Sequence, residues 1–240
     1  MDETIGLKLI EELKDDPEKF RKERKSYQLL QEYFKGLSKE TLRELLCFQD
    51  KNIKQTALWI TSELGRTASD LLKEVVPHMN DDDDLICYYA LGIVSRYAND
   101  EYIDDFLRVF TFLEHSNQEI RTTAMLVISN LSGPRIHEAY VCLTNKKNLN
   151  DSHEKGLLAL INVNALTASE VTHMINSDDD IIRKYGVIAA KKLYEKYPEI
   201  INEATNAEDL DIRDFSRTIV QAEAEYAQYL RNRKHPRRSN

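Results

Sequence analysis

The sequence predicts an all-α protein, a right-handed α-solenoid of about six helix hairpins behind an N-terminal helical cap. The segment 179–193 recurs, in weaker form, five more times along the 240 residues. After Ile182, the small or apolar residues Gly186, Ala189 and Leu193 follow at the spacing of one buried helix face. Only 7 Gly and 5 Pro accompany 42% hydrophobic residues, which favours helices joined by short turns.

The six copies share one frame, which is set by an anchor residue in each. The anchors are Ile53, Ile86, Ile120, Ser152, Ile182 and Ile212, and the copy at Ser152 is the faintest. The intervals between them are 33, 34, 32, 30 and 30 residues. Self-similarity at a period of about 20 to 50 residues indicates stacked repeats.

Two further places of the frame are polar. An acidic or amide residue precedes the anchor in five copies: Asp50, Asp83, Asn117, Asp179 and Asp209. A basic residue follows it in four: Lys54, Arg121, Arg183 and Arg213. Over residues 38–230 this pattern resembles the second helix of HEAT-type repeats. The resemblance implies a ladder of contacts between neighbouring repeats, which should break at Cys87, in a basic place, and at Leu149 and Ser152 of the fourth copy.

A small residue stands four positions after each anchor. These residues are Ala57, Ala90, Ala124, Gly156, Gly186 and Ser216. The lack of bulk at this place predicts close approach of two helices.

Residues 1–37 are predicted to form the N-terminal cap, with helices over 3–14 and 17–36. Ile5, Leu9 and Leu13 recur every four positions, and Pro17 suits the first turn of the next helix. Terminal units of solenoids are atypical because they must cover an open core. The charged face of this segment is expected to face solvent.

The solenoid proper is predicted over residues 38–230, where a first helix precedes each repeated one. Ser38 opens the first of them, residues 69–79 form the next, and residues 100–114 are predicted to be the longest. Gly133 and Pro134 punctuate the chain before a short helix. Thr167 with Glu170 matches a capping box, and Tyr197 with Pro198 starts the last pair. After about Tyr229 periodicity ends, and residues 231–240 are predicted to be a disordered basic tail.

The charge distribution is uneven. The net charge is −8, but the last ten residues hold five basic groups and no acid, so residues 1–230 carry 28 basic against 41 acidic groups. An acidic body favours basic partners and disfavours nucleic acid, except through the tail. That tail is either a solubilising end or a contact for nucleic acid or an acidic partner.

Targeting features point to an intracellular location. The start lacks the pattern of a signal peptide, and no apolar run of about 18 residues suggests a membrane span. Cys47, Cys87 and Cys142 are too widely spaced for a zinc or dithiol motif and are expected to be buried thiols. A soluble, cytoplasmic protein is therefore expected.

No residue pattern predicts catalysis, a metal site or a cofactor. The acidic runs 81–84 and 178–180 lack the register of a calcium loop and are better explained as helix caps. The six histidines show no ligand spacing, and the known nucleotide-binding and nucleophile motifs are absent from the sequence. A non-enzymatic protein is therefore predicted.

The candidate partner-binding residues are the outward places of the repeated helices. Two positions after the anchor stand Gln55, Tyr88, Glu154, Lys184 and Asp214, and six positions after it stand Trp59, Leu126, Leu158 and Ile188. The second set is apolar for a surface, so these residues either form an interaction face or are covered by neighbouring repeats. Tyr89, Tyr185 and Phe215 are expected in the core.

The predicted function is that of a protein-binding scaffold or inhibitor with a basic protein partner. One concrete version is an immunity protein that covers a cationic nuclease toxin, a hypothesis based on charge and size. The alternative is a HEAT-like DNA glycosylase or another nucleic-acid repair protein, in which Trp59 and several tyrosines would line a groove. Binding phosphates in such a groove requires a surplus of Lys and Arg.

Overall fold

A computed structural model describes residues 4–98, 100–147 and 149–234. Within these residues the regular structure is helical and contains no strand, so the all-α helical-repeat class predicted from the sequence is confirmed. The chain divides between Val109 and Phe110 into two compact units, here called unit 1 and unit 2. In the described part, no helix is both long and apolar enough to cross a membrane.

Unit 1 contains eight α-helices among its described residues. They are α1 (Thr4–Asp15), α2 (Pro17–Lys22), α3 (Lys25–Phe34), α4 (Lys39–Leu46), α5 (Lys51–Leu64), α6 (Leu72–Val75), α7 (Asp84–Tyr97) and α8 (Ile103–Leu107). Short 3-10 helices cover Gly65–Leu71, Val76–Asn80 and Asp100–Tyr102.

Unit 2 contributes the repeated helices of the last four copies. Its α-helices are α9 (Gln118–Asn130), α10 (Gly133–Asn145), α11 (Asp151–Ile161), α12 (Ala168–Ile175), α13 (Asp180–Lys192), α14 (Pro198–Ala204) and α15 (Leu210–Lys234). The 3-10 helix Arg108–Glu114 spans the division, and a second one covers Val163–Ala165.

The acidic or amide residue of the frame caps the repeated helix. Asp50 accepts hydrogen bonds from the backbone N–H groups of Asn52 and Ile53, and the same arrangement occurs at Asp83, Asn117, Asp179 and Asp209. Loss of such a cap costs about 1 kcal/mol. Capping thus explains Asp83 and Asp179 within their acidic runs, and the predicted box of Thr167 and Glu170 also forms.

In the fourth copy the frame is shifted by one residue. Asn150, and not Leu149, caps α11 and accepts from the N–H of His153, whose side chain is buried. Gly156 nevertheless stays against α13, where a Cβ would lie 2.0 Å from the ring of Tyr185. The shift follows from the capping chemistry, because a leucine has no acceptor for the helix N–H groups.

Contacts of the predicted ladder form between neighbouring repeats at three joints, with a different donor at each. Gln55 Nε2 donates to Asp83 at 2.8 Å, Ser152 Oγ donates to Asp179, and Arg183 Nε donates to Asp209 at 2.8 Å. The break expected at Ser152 is therefore wrong, because its hydroxyl replaces the missing basic side chain.

Arg121 departs from the pattern of neighbouring repeats. Its guanidinium binds Asp211 on α15 through two hydrogen bonds, of 2.6 and 2.9 Å, and so bypasses the fourth and fifth copies. Correspondingly, α9 packs on α13 and α15. Since α13 also contacts α11, α12 and α14, it is the central helix of unit 2, and eight of its residues are buried.

Several predicted elements differ from the structure. The segment 100–114 is a short α-helix between two 3-10 helices, and the predicted helix 17–36 is broken at Arg24, which has φ 57°. The last helix, α15, continues to Lys234, so residues 231–234 of the predicted tail are helical, and residues 235–240 lie outside the described part. Cys47 is exposed, contrary to the expectation of buried thiols.

A buried histidine in unit 2 joins two polar groups. The imidazole of His153 lies 3.0 Å from the hydroxyl of Tyr185 and 3.0 Å from Glu114 Oε1. Burial lowers the pKa of His153 more than Glu114 raises it, and burial raises the pKa of Tyr185. The folded protein therefore favours the neutral imidazole.

This network predicts a loss of stability in mild acid. At pH above the ordinary histidine pKa of about 6.5, His153 is neutral in both states and has no effect. As the pH falls below about 6.5, the unfolded chain binds a proton that the folded chain resists, so the free energy of unfolding decreases. Chemical denaturation at a series of pH values should show this decrease.

The matched variant is His153→Gln, which removes the titrating group. In this variant the free energy of unfolding should fall less in mild acid than it does in the wild type. Part of the fall should remain, because burial also lowers the pKa of His78. An unchanged pH dependence in His153→Gln would contradict this assignment.

Candidate aromatic groove of unit 1

A groove of about 390 Å³ lies in unit 1 where α5 meets α2, α3 and α7. We call it the aromatic groove. Its lining consists of Arg21, Arg24, Ser26, Tyr27, Gln55, Thr56, Trp59, Leu85 and Tyr89. The volume lies in the range of about 300 to 1,000 Å³ that is usual for ligand sites.

Aromatic rings form the walls of the groove. The rings of Tyr27 and Trp59 meet edge to face, with centroids 5.0 Å apart and an interplanar angle of 68°. Tyr88 and Tyr89 form a second edge-to-face pair, with centroids 5.4 Å apart. Tyr27 is 63% exposed and Tyr88 is 39% exposed, whereas Trp59 and Tyr89 are half-buried. The exposed rings of Tyr27 and Tyr88 are therefore open to a ligand, beside two rings that are half-buried.

A chain of hydrogen bonds fixes Arg21 at the groove. Its Nη1 donates to Asn52 Oδ1 at 2.9 Å and to Gln55 Oε1, and Gln55 in turn donates to Asp83. The cap of α7 therefore orients Gln55, and Gln55 orients the guanidinium. The acceptors of Arg21 are neutral amides, so its charge is not neutralised.

Arg24 stands where α2 gives way to α3. Its left-handed backbone, with φ 57°, turns the chain between the two helices, and its side chain is exposed. Nearby, Lys25 is paired with Glu12 at 2.9 Å and with Glu23 at 2.7 Å. Over the described residues, neither Arg21 nor Arg24 has a carboxylate within 4.0 Å. Two positive charges therefore remain available at the groove.

Burial raises the pKa of Tyr89, with smaller contributions from neighbouring groups. The phenol therefore stays protonated at neutral pH and can donate a hydrogen bond. Together, the groove offers apolar rings, a phenol and two guanidinium groups, a composition suited to binding.

The predicted site residues of unit 1 lie in or beside this groove. Trp59 and Gln55 line it, and Tyr88 adjoins it through Tyr89. Gln55 is only 8% exposed and acts mainly by holding Arg21. Tyr89 was expected in the core, but it lines the groove.

The predicted site residues of unit 2 differ in how exposed they are. Lys184 is 1% exposed and Ile188 is fully buried, so their assignment as contact residues is wrong. The cause is the central position of α13, on which both residues lie. Leu158 is exposed, and Leu126, Glu154 and Asp214 are half-buried. Glu154 accepts a hydrogen bond from Tyr140, and Asp214 accepts one from Gln118.

The sequence did not predict Arg21, Arg24 and Tyr27 as site residues, because they belong to the segment interpreted as an N-terminal cap. One signal was present, because residues 21–25 contain four basic side chains shortly before an aromatic one. Tyr185 and Phe215 do lie in the core, as expected.

Comparison with known proteins gives structural neighbours only. No family model matches the chain, and no curated protein matches it. One designed armadillo repeat protein is 13% identical, covering 75% of this chain and 98% of its own, with a TM-score of 0.37. An engineered protein is 17% identical over 89% of this chain and 96% of its own, with a TM-score of 0.45.

A second designed armadillo repeat protein was solved in complex with the peptide (KR)4. It is 12% identical to this chain, covers 90% of it and 98% of its own length, and has a TM-score of 0.45.

Proposed function

We propose that this protein is a non-enzymatic binding scaffold that engages a protein partner through the aromatic groove of unit 1. The observation that carries the proposal is the cluster of Tyr27, Trp59 and Tyr89, open to solvent beside Arg21. Trp, Tyr and Arg are the residues that most often dominate the energy of protein interfaces. A surface that is already ordered also loses little entropy on binding.

The partner we propose is basic overall. The net charge of −8 supports this choice, because a field of opposite sign accelerates encounter and suppresses wrong partners. An immunity protein that neutralises a cationic nuclease toxin is one concrete form, supported by charge and size alone. Its complex should weaken steeply with salt, and a complex insensitive to salt would exclude this form.

We also propose that the repeats are of the HEAT type. The capping residue of the frame supports this, together with the contact from Arg183 to Asp209 between neighbouring repeats. The contact between Arg121 and Asp211 departs from that type.

Substitution of the groove aromatics should strongly reduce partner binding. In a pull-down from the native lysate, the amount of partner retained by Trp59→Ala should fall about tenfold or more below that of the wild type. The reason is that a central aromatic contributes about 2 kcal/mol or more to an interface. Tyr27→Ala, at a 63% exposed position, should act in the same direction with little effect on folding.

The matched control is Tyr226→Ala, at an exposed tyrosine of α15 outside the groove. It should retain the partner. Circular dichroism should show that all variants remain helical. Equal retention by Trp59→Ala and the wild type would contradict the proposed site, and recovery of DNA in place of protein would favour the nucleic-acid alternative.

A further inference from the structure

We infer that the aromatic groove recognises an acidic peptide segment, in which an Asp or Glu side chain pairs with Arg21 and Arg24 and a neighbouring apolar side chain packs on Tyr27 and Trp59. This inference rests on the proposed function and specifies the chemistry of its site. It concerns the anchoring segment of the partner, whose overall charge is a separate property.

Arg21 is prepared for a carboxylate. Its bonds to Asn52 and Gln55 use Nη1, and no other described residue accepts from its remaining N–H groups. A guanidinium held on one edge presents the other as a planar fork, and that fork matches the two oxygens of a carboxylate. Because Gln55 and Asn52 already restrict the side chain, little entropy is lost when the ligand binds.

Arg24 adds a second charge at the same groove. Its side chain is exposed, and within the described ranges it has neither a hydrogen bond nor an ion pair. The nearby Glu23 is engaged with Lys25 at 2.7 Å. An incoming carboxylate therefore meets two cations and displaces no internal ion pair.

A basic anchor fits the groove less well. Aromatic rings can hold a cation, but here two guanidinium groups line the same space and would repel it. The carboxylate of Asp83 offers no compensation, because it caps α7 and accepts from Gln55. Over the described part of the chain, the groove lining contains two guanidinium groups and no carboxylate, so it favours an anion even though the chain as a whole is acidic.

The overall charge of unit 1 disfavours nucleic acid. The sequence up to Val109 contains 16 Lys and Arg against 23 Asp and Glu, a balance of −7. A strand of nucleic acid needs a track of cations along its phosphates, and two arginines supply one or two contacts. A single carboxylate with an apolar neighbour requires no such track.

The test uses Trp59 as its reporter, because it is the only tryptophan of the chain and lines the groove. Short Gly-Ser peptides without Trp or Tyr, acetylated and amidated, carry a central Phe-Glu, Phe-Gln or Phe-Lys pair. A fourth peptide carries Phe with a free terminal carboxylate, and a thymidine oligonucleotide represents nucleic acid. Each is titrated into the full chain at low salt while the fluorescence of Trp59 is recorded.

We expect the Phe-Glu peptide to bind at least about tenfold more tightly than the Phe-Lys peptide, with Phe-Gln between them. The variants Arg21→Gln and Arg24→Gln should each reduce this preference, and the double variant should bring it to within about twofold. Arg66→Gln is the matched control, because Arg66 is exposed and does not line the groove, and it should keep the full preference.

Four results would overturn the inference: equal or tighter binding of Phe-Lys, tighter binding of the free terminal carboxylate or the oligonucleotide, no binding of Phe-Glu, or an unchanged preference in the double variant. None of these four results decides the proposed function. That function is tested separately, by how much native partner the Trp59→Ala and Tyr27→Ala variants retain in the pull-down. If the groove variants lost the partner but the wild type preferred the Phe-Lys peptide, the groove would still bind a protein partner, through a basic segment in place of an acidic one.

Discussion

Replacement of Asp211 by asparagine is expected to lower the free energy of unfolding by about 3 kcal/mol. Asp211 is 5% exposed, and its carboxylate accepts two hydrogen bonds from Arg121 and lies 3.4 Å from the ammonium of Lys184. Lys184 is itself only 1% exposed. Without the charge of Asp211, Arg121 loses its carboxylate partner and, among the described residues, Lys184 keeps only Asp180. In this poorly solvated region that loss is far costlier than losing a surface ion pair.

Chemical denaturation followed by circular dichroism measures this change. Asp214→Asn is the control, because Asp214 lies three positions later on the same helix, α15, and is half-exposed, with one hydrogen bond from Gln118. It should change stability much less. If both variants had equal small effects, Asp211 would not be the shared counter-charge of this cluster.

Replacement of Gly156 by alanine is expected to destabilise the protein by about 1 to 3 kcal/mol. An alanine Cβ would lie 2.0 Å from the ring of Tyr185, a separation that real contacts do not reach. That ring is fully buried and its hydroxyl is bonded to His153, so it cannot rotate away without breaking the network. Helix propensity favours alanine by up to about 1 kcal/mol, which offsets only part of the cost.

Gly92 provides the opposite control. It lies inside α7, and nothing stands within 4 Å of the position of an added Cβ. Gly92→Ala should therefore stabilise the protein by about 0.5 to 1 kcal/mol through helix propensity alone. Denaturation of the two variants side by side separates packing from propensity, and a stable Gly156→Ala would contradict the close packing of α11 on α13.

The repeated helices could be predicted from the sequence because their signals are local. Asp50, Asp83 and Asp179 each precede an apolar helix face, and a carboxylate at that place caps the helix regardless of what packs around it. Gly156 was placed correctly for a similar reason, since the lack of a side chain indicates a close contact without naming the partner.

The packing of α9 could not be predicted in this way. The pattern allows Arg121 to bind any carboxylate at the same level of a neighbouring helix, and only the tertiary structure selects Asp211, 90 residues later. The same choice makes α13 central and buries Lys184 and Ile188. The spacing of residues shows which of them share one side of a helix. It does not show whether other helices cover that side in the folded protein.

Of the residues that line the aromatic groove, the sequence predicted Trp59 as a contact residue but not Arg21 or Tyr27. Trp59 was selected because it is an outward aromatic on a repeated helix. Arg21 and Tyr27 belong to the irregular N-terminal segment, where the left-handed residue Arg24 breaks the helix and no repeat gives a frame. Their proximity to Trp59 depends on the packing of α2 and α3 on α5.

The aromatic groove is tested most directly with a photo-cross-linking phenylalanine derivative in place of Tyr27, in the protein within its native cells. Tyr226, the exposed tyrosine of α15, receives the same derivative as a control. We expect one discrete protein adduct from position 27, reduced when Trp59 is also replaced by alanine, and no such adduct from position 226. An adduct from position 226 alone, or one at position 27 that persists without Trp59, would contradict the assignment of the aromatic groove as the partner-binding site.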